Sequence, residues 1–292
     1  MPKNKIEKQP LVSVVIATYN REKYIKRAIE SVLNQTYKNI EVIVVDDSVT
    51  NAISKIVNEI QKNDSRIIYI KNKNRIGFVK SLNRGIAITK GKYIARLDDD
   101  DFWCNSRKLE KQVQFLEKNQ DYVLIGGGII EIDEEEKEIY KCFLPETDEE
   151  IRKVMLFDPP FLHSAVVFRK NTFKLVGGYN EQVRFGEDWD LWLRLGRKGK
   201  LYNFQDYFTY YLVTNKKRNF LRREKFKCIG LRRKYRNDYP GYSKAILLGW
   251  LYYFYSFVPD SIKRLLSPII SRLRKIMFGP PGYKYKTSFF KK

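Results

Sequence analysis

Along the first hundred residues, solid apolar runs alternate with stretches in which apolar positions recur every three or four residues. Leu11–Ala17 (LVSVVIA) is β-branched without polar alternation, the pattern of a strand covered on both faces. Arg21–Gln35 then sets Tyr24, Ala28, Val32 and Gln35 at helical spacing, widened by Ile25 and Ile29, with Asn20 placed to cap the start. Asn39–Val45, Arg66–Ile70 and Tyr93–Leu97 repeat the strand pattern, while Asn51–Lys62 and Phe78–Thr89 repeat the helical one. Strand and helix in strict alternation predict an α/β fold, a mostly parallel sheet flanked by helices. Ligands of such sheets bind beyond the carboxyl ends of the strands. All four runs end in polar residues: Thr18–Asn20, Asp46 and Asp47, Asn72–Arg75, and Asp98–Asp101. These ends fall on one edge of the sheet, which makes that edge the candidate site.

The fourth end is the most informative. Four adjacent carboxylates, Asp98 to Asp101, repel one another, and a folded chain holds them together most readily around a cation or a ring of donors. Hard oxygen ligands on a short loop suit Mg²⁺ or Mn²⁺, which take further oxygens from water and phosphate. A solvated acidic turn is the plainer alternative. No GxGxxG follows the first strand and no GxxxxGK[ST] occurs, so a nucleotide bound here would have its diphosphate neutralised by a metal.

Composition changes this picture mainly through charge. The 292 residues are 43% hydrophobic and 31% charged, which is globular and long enough for one or two domains. Three cysteines without metal-ligand spacing imply no disulfide framework, and Met1–Pro10 has no signal-peptide core, so a cytoplasmic location is expected. Of the net +22, Leu201–Lys292 carries +17, from 21 Lys/Arg and 4 Asp/Glu. A basic region of that kind attracts nucleic acid, an anionic bilayer or an anionic acceptor.

The stretches VSVVIATYNREKYIKRAIESVLNQTYKNIEVIVVDDS, NRIGFVKSLNRGIAITKGKYIARLDDDD and GGYNEQVRFGEDWDLWLRL occur in that order. Together they resemble the family 2 glycosyltransferases, inverting enzymes with the A-type glycosyltransferase fold, over about residues 11 to 213. The resemblance implies a donor half at about 1–101 and an acceptor half at about 102–213. Thr18, Tyr19 and Asp46 would hold the base and ribose of a nucleotide-sugar, most often a uridine diphosphate sugar. Asn83 and Arg84 would face the donor from their helix, or form an ordinary polar helix face. Asp98 and Asp100 match the family's Asp-x-Asp pair: Asp98 would contact the ribose or a metal-bound water, and Asp100 would ligate a divalent metal bridging the diphosphate. Where the family usually has Gly-Ser after the paired aspartates, this chain has Ser48-Val49-Thr50.

Phe185–Leu195 is the second chemical stretch. Its spacing puts Trp189, Trp192 and Leu193 on a core-facing side, with Glu187 and Asp188 at the helix start, where the dipole favours carboxylates. Inverting transfer needs one carboxylate to take the proton of the acceptor hydroxyl. Asp188 matches the family's base and Glu187 its neighbour. Here the metal stands where a glycosidase uses an acid. His163, the one histidine in the chain, enters a strand within Pro159–Arg169 and either lines the site or anchors the loop. Gly178 lies in a segment resembling the acceptor-side loop, where glycine permits close backbone approach. Glu131–Glu138 reads as a solvent-facing hairpin or turn.

Beyond Val213 the chain becomes basic and amphipathic, forming a helical C-terminal region at 214–292. Asn215–Arg236 mixes cations with Phe220, Leu221, Phe226, Ile229 and Leu231. Ala245–Val258 is apolar but too short to span a bilayer, which takes about 20 residues. Ser261–Met277 sets large apolar residues opposite cations, as in a helix lying in a bilayer interface, at the inner face of the cell membrane; packing on the catalytic domain or a dimer contact is the alternative. The acceptor expected is a glycan or a lipid-linked sugar. A nucleic-acid-binding protein would leave the strand-end aspartates without a purpose, so no nucleic-acid partner is expected. A sugar nucleotidyltransferase should carry a glycine-rich basic loop where Ala17–Asn20 stands.

Overall fold

The computed structural model describes residues 9–183, 185–214, 228–258 and 262. Four parallel strands alternate with helices as expected: β1 (Val12–Thr18), α1 (Glu22–Leu33), β2 (Ile40–Asp46), α2 (Ala52–Asn63), β3 (Ile67–Lys71), α3 (Phe78–Ala87) and β4 (Tyr93–Arg96). Every residue of β1 and β2 is buried. Their side chains alternate between two cores. Val15, Ala17, Ile43 and Val45 meet Leu82 and Ile86 of α3 on one face. Val12, Val14, Ile16, Val42 and Val44 meet Ile25, Ile29 and Val32 of α1 on the other. Each such aliphatic side chain contributes about 1.5–3 kcal/mol when fully buried, which is why solid apolar runs hold the centre of the sheet. Gly85 lets α3 sit close: a Cβ there would lie 2.8 Å from Val45 Cγ2 and 2.9 Å from Val15 Cγ1.

The chain continues through β5 (Phe102–Trp103), α4 (Lys108–Lys118), β6 (Tyr122–Ile132), β7 (Glu138–Cys142) and α5 (Asp148–Val154). A 3-10 turn at His163–Ala165 follows, then β8 (Val167–Arg169), α6 (Lys170–Leu175), α7 (Glu187–Gly196) and β9 (Lys200–Leu212). The sheet order is β3-β2-β1-β4-β8-β6-β9-β5, with β7 on β6. β8 runs antiparallel to β4 and to β6, so the sheet is mixed beyond its parallel half. The acidic stretch near 131–138 is a hairpin between β6 and β7, with Glu136 in the left-handed region at φ 62°.

Asn20 departs from expectation. It does not cap α1, whose start has no side-chain cap; it takes φ 52°, and its N–H donates to Ser48 Oγ at 2.9 Å. Past the expected boundary near residue 213, α8 (Ile229–Lys234) and α9 (Tyr242–Ser256) share a core with α7 through Leu231, Tyr235, Tyr239 and Ala245. Most of the expected Asn215–Arg236 helix and nearly all of Ser261–Met277 lie outside the described residues. Among the described residues, no helix is long and apolar enough to cross a membrane.

Candidate active site

The register of the parallel strands brings their polar ends together: Thr18 pairs with Asp46, and Asp46 with Lys71. Much of this edge is occupied in bracing itself. Asp46 is fully buried and accepts from Ser48 N at 2.8 Å and Tyr69 Oη at 2.7 Å, with Lys71 Nζ at 3.9 Å. Asp47 accepts from Asn72 Nδ2, Ile76 N and Gly77 N, each at 2.8 Å, and so shapes the loop leading into α3. Ser48, where the family usually has glycine, serves the turn through its own N–H and its bond from Asn20. Tyr19 is the exposed group here, its ring under the Arg75 guanidinium at 4.3 Å. Thr18 is buried just behind it, its hydroxyl beside the Asp99 carboxyl.

The acidic run divides by role. Asp101 is structural: its carboxylate accepts from Ser164 Oγ at 2.5 Å and from Leu212 N at 3.0 Å, tying the loop after β4 to the 3-10 turn and to the end of β9. Asp100 faces the Arg21 guanidinium at 3.7 Å. Asp99 accepts from Tyr19 N at 3.3 Å. Burial and the neighbouring Asp100 push its pKa up to about 7. Asp98 pairs with the buried Arg96 at 2.5 Å.

Arg96 is the residue that strand patterning hides. It is fully buried within β4, donates to the Val15 and Leu97 carbonyls, and through Nε reaches His163 Nε2 at 3.1 Å. Its signal was a charge in a strand otherwise built for burial, two residues before Asp98 and therefore on the same face. His163 Nε2 also meets Tyr179 Oη at 2.6 Å, and Nδ1 lies 3.8 Å from Asp98. Burial, with the Arg96 charge beside it, lowers the His163 pKa to about 3, so the imidazole is neutral at physiological pH. The imidazole thus anchors the turn and lies against Asp98.

Asn83 reaches the turn at Tyr179 rather than open space. Its Nδ2 donates to the Tyr179 carbonyl at 2.9 Å, and its Oδ1 accepts from Tyr179 N at 3.0 Å. This clamp holds a turn in which Gly177 and Gly178 have φ of 83° and 71°. A Cβ on Gly178 would press on Asn83 Oδ1 at 3.2 Å, so glycine answers both the backbone angle and the space. Arg84 donates to Asn72 Oδ1 at the end of β3.

α7 opens at Gly186, in the left-handed region, and carries Glu187 and Asp188 in its first turn. Trp189 is buried and fixed by Nε1 to the Met155 carbonyl at 2.7 Å. Two residues on, the buried Asp190 accepts from Arg194, Lys234 and Tyr235, which fastens α8 to α7. Glu187 and Asp188 are half-buried. Burial raises both pKa values, and the negative charge of Asp98 adds to each. That influence joins the halves: the charges of Asp98, Glu187 and Asp188 all bear on the Tyr179 hydroxyl, which meets His163 at 2.6 Å.

No three His, Cys, Asp or Glu side chains among the described residues converge tightly enough to form a metal cage. The donor set nonetheless suits Mg²⁺ or Mn²⁺, which are held by one or two carboxylates together with substrate phosphates. Crowded aspartates beside a partly protonated Asp99 are the electrostatic sign of a place where a cation is favoured.

The family model described as Glycosyl transferase family 2 matches residues 13–174, more than half of the chain. The chain belongs to the family 2 glycosyltransferases. This glycosyltransferase is 37% identical over 215 residues to an uncharacterised glycosyltransferase of Haemophilus influenzae, covering 69% of this chain and 65% of that protein. Over 123 residues it is 44% identical to the Escherichia coli UDP-Glc:alpha-D-GlcNAc-diphosphoundecaprenol beta-1,3-glucosyltransferase WfaP, covering 42% of this chain and 48% of that one. The mannosyltransferase PcManGT of Pyrobaculum calidifontis, solved with GDP-Man and Mn²⁺, superposes with a TM-score of 0.65 at 15% identity, over 93% of this chain and 83% of that one. That likeness establishes the A-type fold of this glycosyltransferase.

Proposed function

We propose that this glycosyltransferase is an inverting, metal-dependent enzyme. In this reading it moves a sugar from a uridine diphosphate donor to a hydroxyl of a glycan or lipid-linked acceptor, in the synthesis of cell-surface polysaccharide or glycoconjugate. One observation carries the reading: His163 lies 3.8 Å from Asp98 and 2.6 Å from the Tyr179 hydroxyl, on which the charges of Asp98, Glu187 and Asp188 all bear, so the strand end and the start of α7 come together there. The named donor and acceptor of the Escherichia coli relative favour the uridine diphosphate sugar and the lipid-linked acceptor.

In this mechanism Tyr19, beside Arg75 at the end of β1, supplies a face for the base, and Asp46 braces the turn beneath it. Asp100, with Asp98 beside it, would hold a divalent metal, which when bound would neutralise charge on the departing diphosphate. Asp98 is oriented by Arg96, and neutral His163 packs against it without adding charge. Asp188 takes the proton of the acceptor hydroxyl; its raised pKa makes it a stronger base than an exposed aspartate. A single base aimed at the acceptor fits one displacement, and therefore inversion.

Incubation with a panel of nucleotide-sugars and Mn²⁺ tests this, with Asp100→Ala and Asp188→Ala run in parallel. Release of nucleoside diphosphate from one donor, abolished by chelator and by both substitutions, is the expected result. Turnover that survives both changes would remove the mechanism.

A further inference from the structure

α9 is apolar around its whole circumference, a composition normally found in helices covered on every side. Among the described residues, only one side is covered. Ala245 and Leu248 are buried against α8 and the core of α7. On the other side Leu247, Trp250, Leu251 and Phe254 recur at helical spacing with 49%, 42%, 48% and 63% of their surface exposed, and Phe257 continues the row at 69%. Trp250, Tyr253, Phe254 and Phe257 form an aromatic cluster, with Trp250 and Phe254 stacked at 6.1 Å and Tyr253 and Phe257 edge-to-face at 4.9 Å. A contiguous exposed aromatic patch of this kind marks an interaction surface.

Charge identifies the partner. Residues 214–292 carry 21 Lys/Arg against 3 Asp/Glu. Within the helical pair itself Arg233, Arg236 and Lys244 are exposed. Aromatic and leucine side chains on a helix too short to cross a bilayer, set in strongly cationic surroundings, match a helix lying at the surface of an anionic membrane. We propose that the outer face of α9, formed by Leu247, Trp250, Leu251 and Phe254 and continued by Phe257, seats in the headgroup region of an anionic bilayer. Its placement gives the contact a purpose. Through Lys234 and Tyr235, α8 holds Asp190, two residues beyond Asp188, and Leu231 lies 3.3 Å from where a Cβ on Gly186 would stand. The helix pair that meets the membrane is thus bonded to the helix that carries the base, and the cleft is held near the bilayer where a lipid-linked hydroxyl would be. That orientation, though not the surface itself, rests on the acceptor proposed above.

The four tryptophans make the test direct, because Trp103, Trp189 and Trp192 are buried and Trp250 is the exposed one. The full chain is titrated with phosphatidylcholine vesicles, with and without phosphatidylglycerol, while tryptophan emission and co-sedimentation are followed. A blue shift is expected on phosphatidylglycerol vesicles, weakened by salt, with binding reduced about tenfold or more in the double variant Phe254→Ser/Phe257→Ser. That variant should keep the wild-type melting temperature and the wild-type rate of donor hydrolysis. No emission change with anionic vesicles, or undiminished binding by the double variant, overturns the proposal. So does a wild-type dimer that the double variant dissolves, which would make a second copy the occupant. Vesicle binding is read without turnover, so a failure of the transferase reading would show as absent hydrolysis with binding intact.

Discussion

Two pairs of adjacent carboxylates, Asp46–Asp47 after β2 and Glu187–Asp188 at the start of α7, occupy comparable sites and are treated in opposite ways. The first pair is saturated: Asp46 takes a turn N–H and the Tyr69 hydroxyl, and Asp47 takes the Asn72 amide and two further backbone N–H groups. The second pair is half-buried and met by backbone N–H groups alone, Asp188 accepting from Trp189 N at 2.7 Å. Burial therefore raises the pKa of both its members. A buried carboxylate surrounded by donors braces the fold. One denied them holds its proton more tightly and is suited to exchanging it with a substrate.

The comparison is broken most severely by exchanging the two behaviours. Asp188→Asn should reduce sugar transfer by about 10³-fold or more with the fold intact, as measured by initial rates and circular dichroism. Next in size, Asp47→Ala should leave three donors without their acceptor and lower stability by about 3 kcal/mol in denaturant titration. If instead Asp47→Ala mainly abolished turnover with unchanged stability, the division of roles would be wrong.

Acidity sharpens the contrast. The transfer rate should rise as Asp188 ionises near pH 6, well above the range of an exposed aspartate, in a pH–rate profile taken under saturating donor. Stability of the ligand-free protein should move the other way. Asp99, with a folded pKa near 7, keeps its proton between about pH 4 and 7 where the unfolded chain has lost its own, so stability falls as pH rises through that window. Asp99→Asn should therefore raise the melting temperature at pH 8 by about 2–4 °C, and leave it nearly unchanged at pH 4. The smallest effect is expected from Tyr179→Phe, which removes the hydroxyl at 2.6 Å from His163 and should cost about 1 kcal/mol in stability with the aromatic packing retained.

Much of the parallel half of the sheet was legible because its signals are local. β1, β2 and α3 are apolar patterns of a few residues each, and their ends carry Thr18, Asp46 and Asp98 wherever the strands lie. Asp101 was misgrouped with its acidic neighbours, since nothing local separates it from Asp100; its partners Ser164 and Leu212 lie 63 and 111 residues away. Asn83 was placed on the right helix, but its hold on Tyr179 spans 96 residues. Arg96 was overlooked because a single charge inside an apolar run barely alters the pattern. Its cost in burial is offset by Asp98, His163 and two carbonyls that only the folded chain supplies.

The amino-acid sequence alone determined the alternation of strands and helices, the edge on which the polar strand ends gather, the motifs that mark the family, and the basic character of the C-terminal third. These are properties of neighbouring residues, and side-chain periodicity is enough to express them. Only the tertiary structure decided which carboxylates are saturated and which stay under-neutralised, that a neutral histidine and a buried arginine stand behind Asp98, and that α8 and α9 share a core with α7. Donor count, burial and charge proximity depend on partners brought from distant parts of the chain, and no local pattern specifies them.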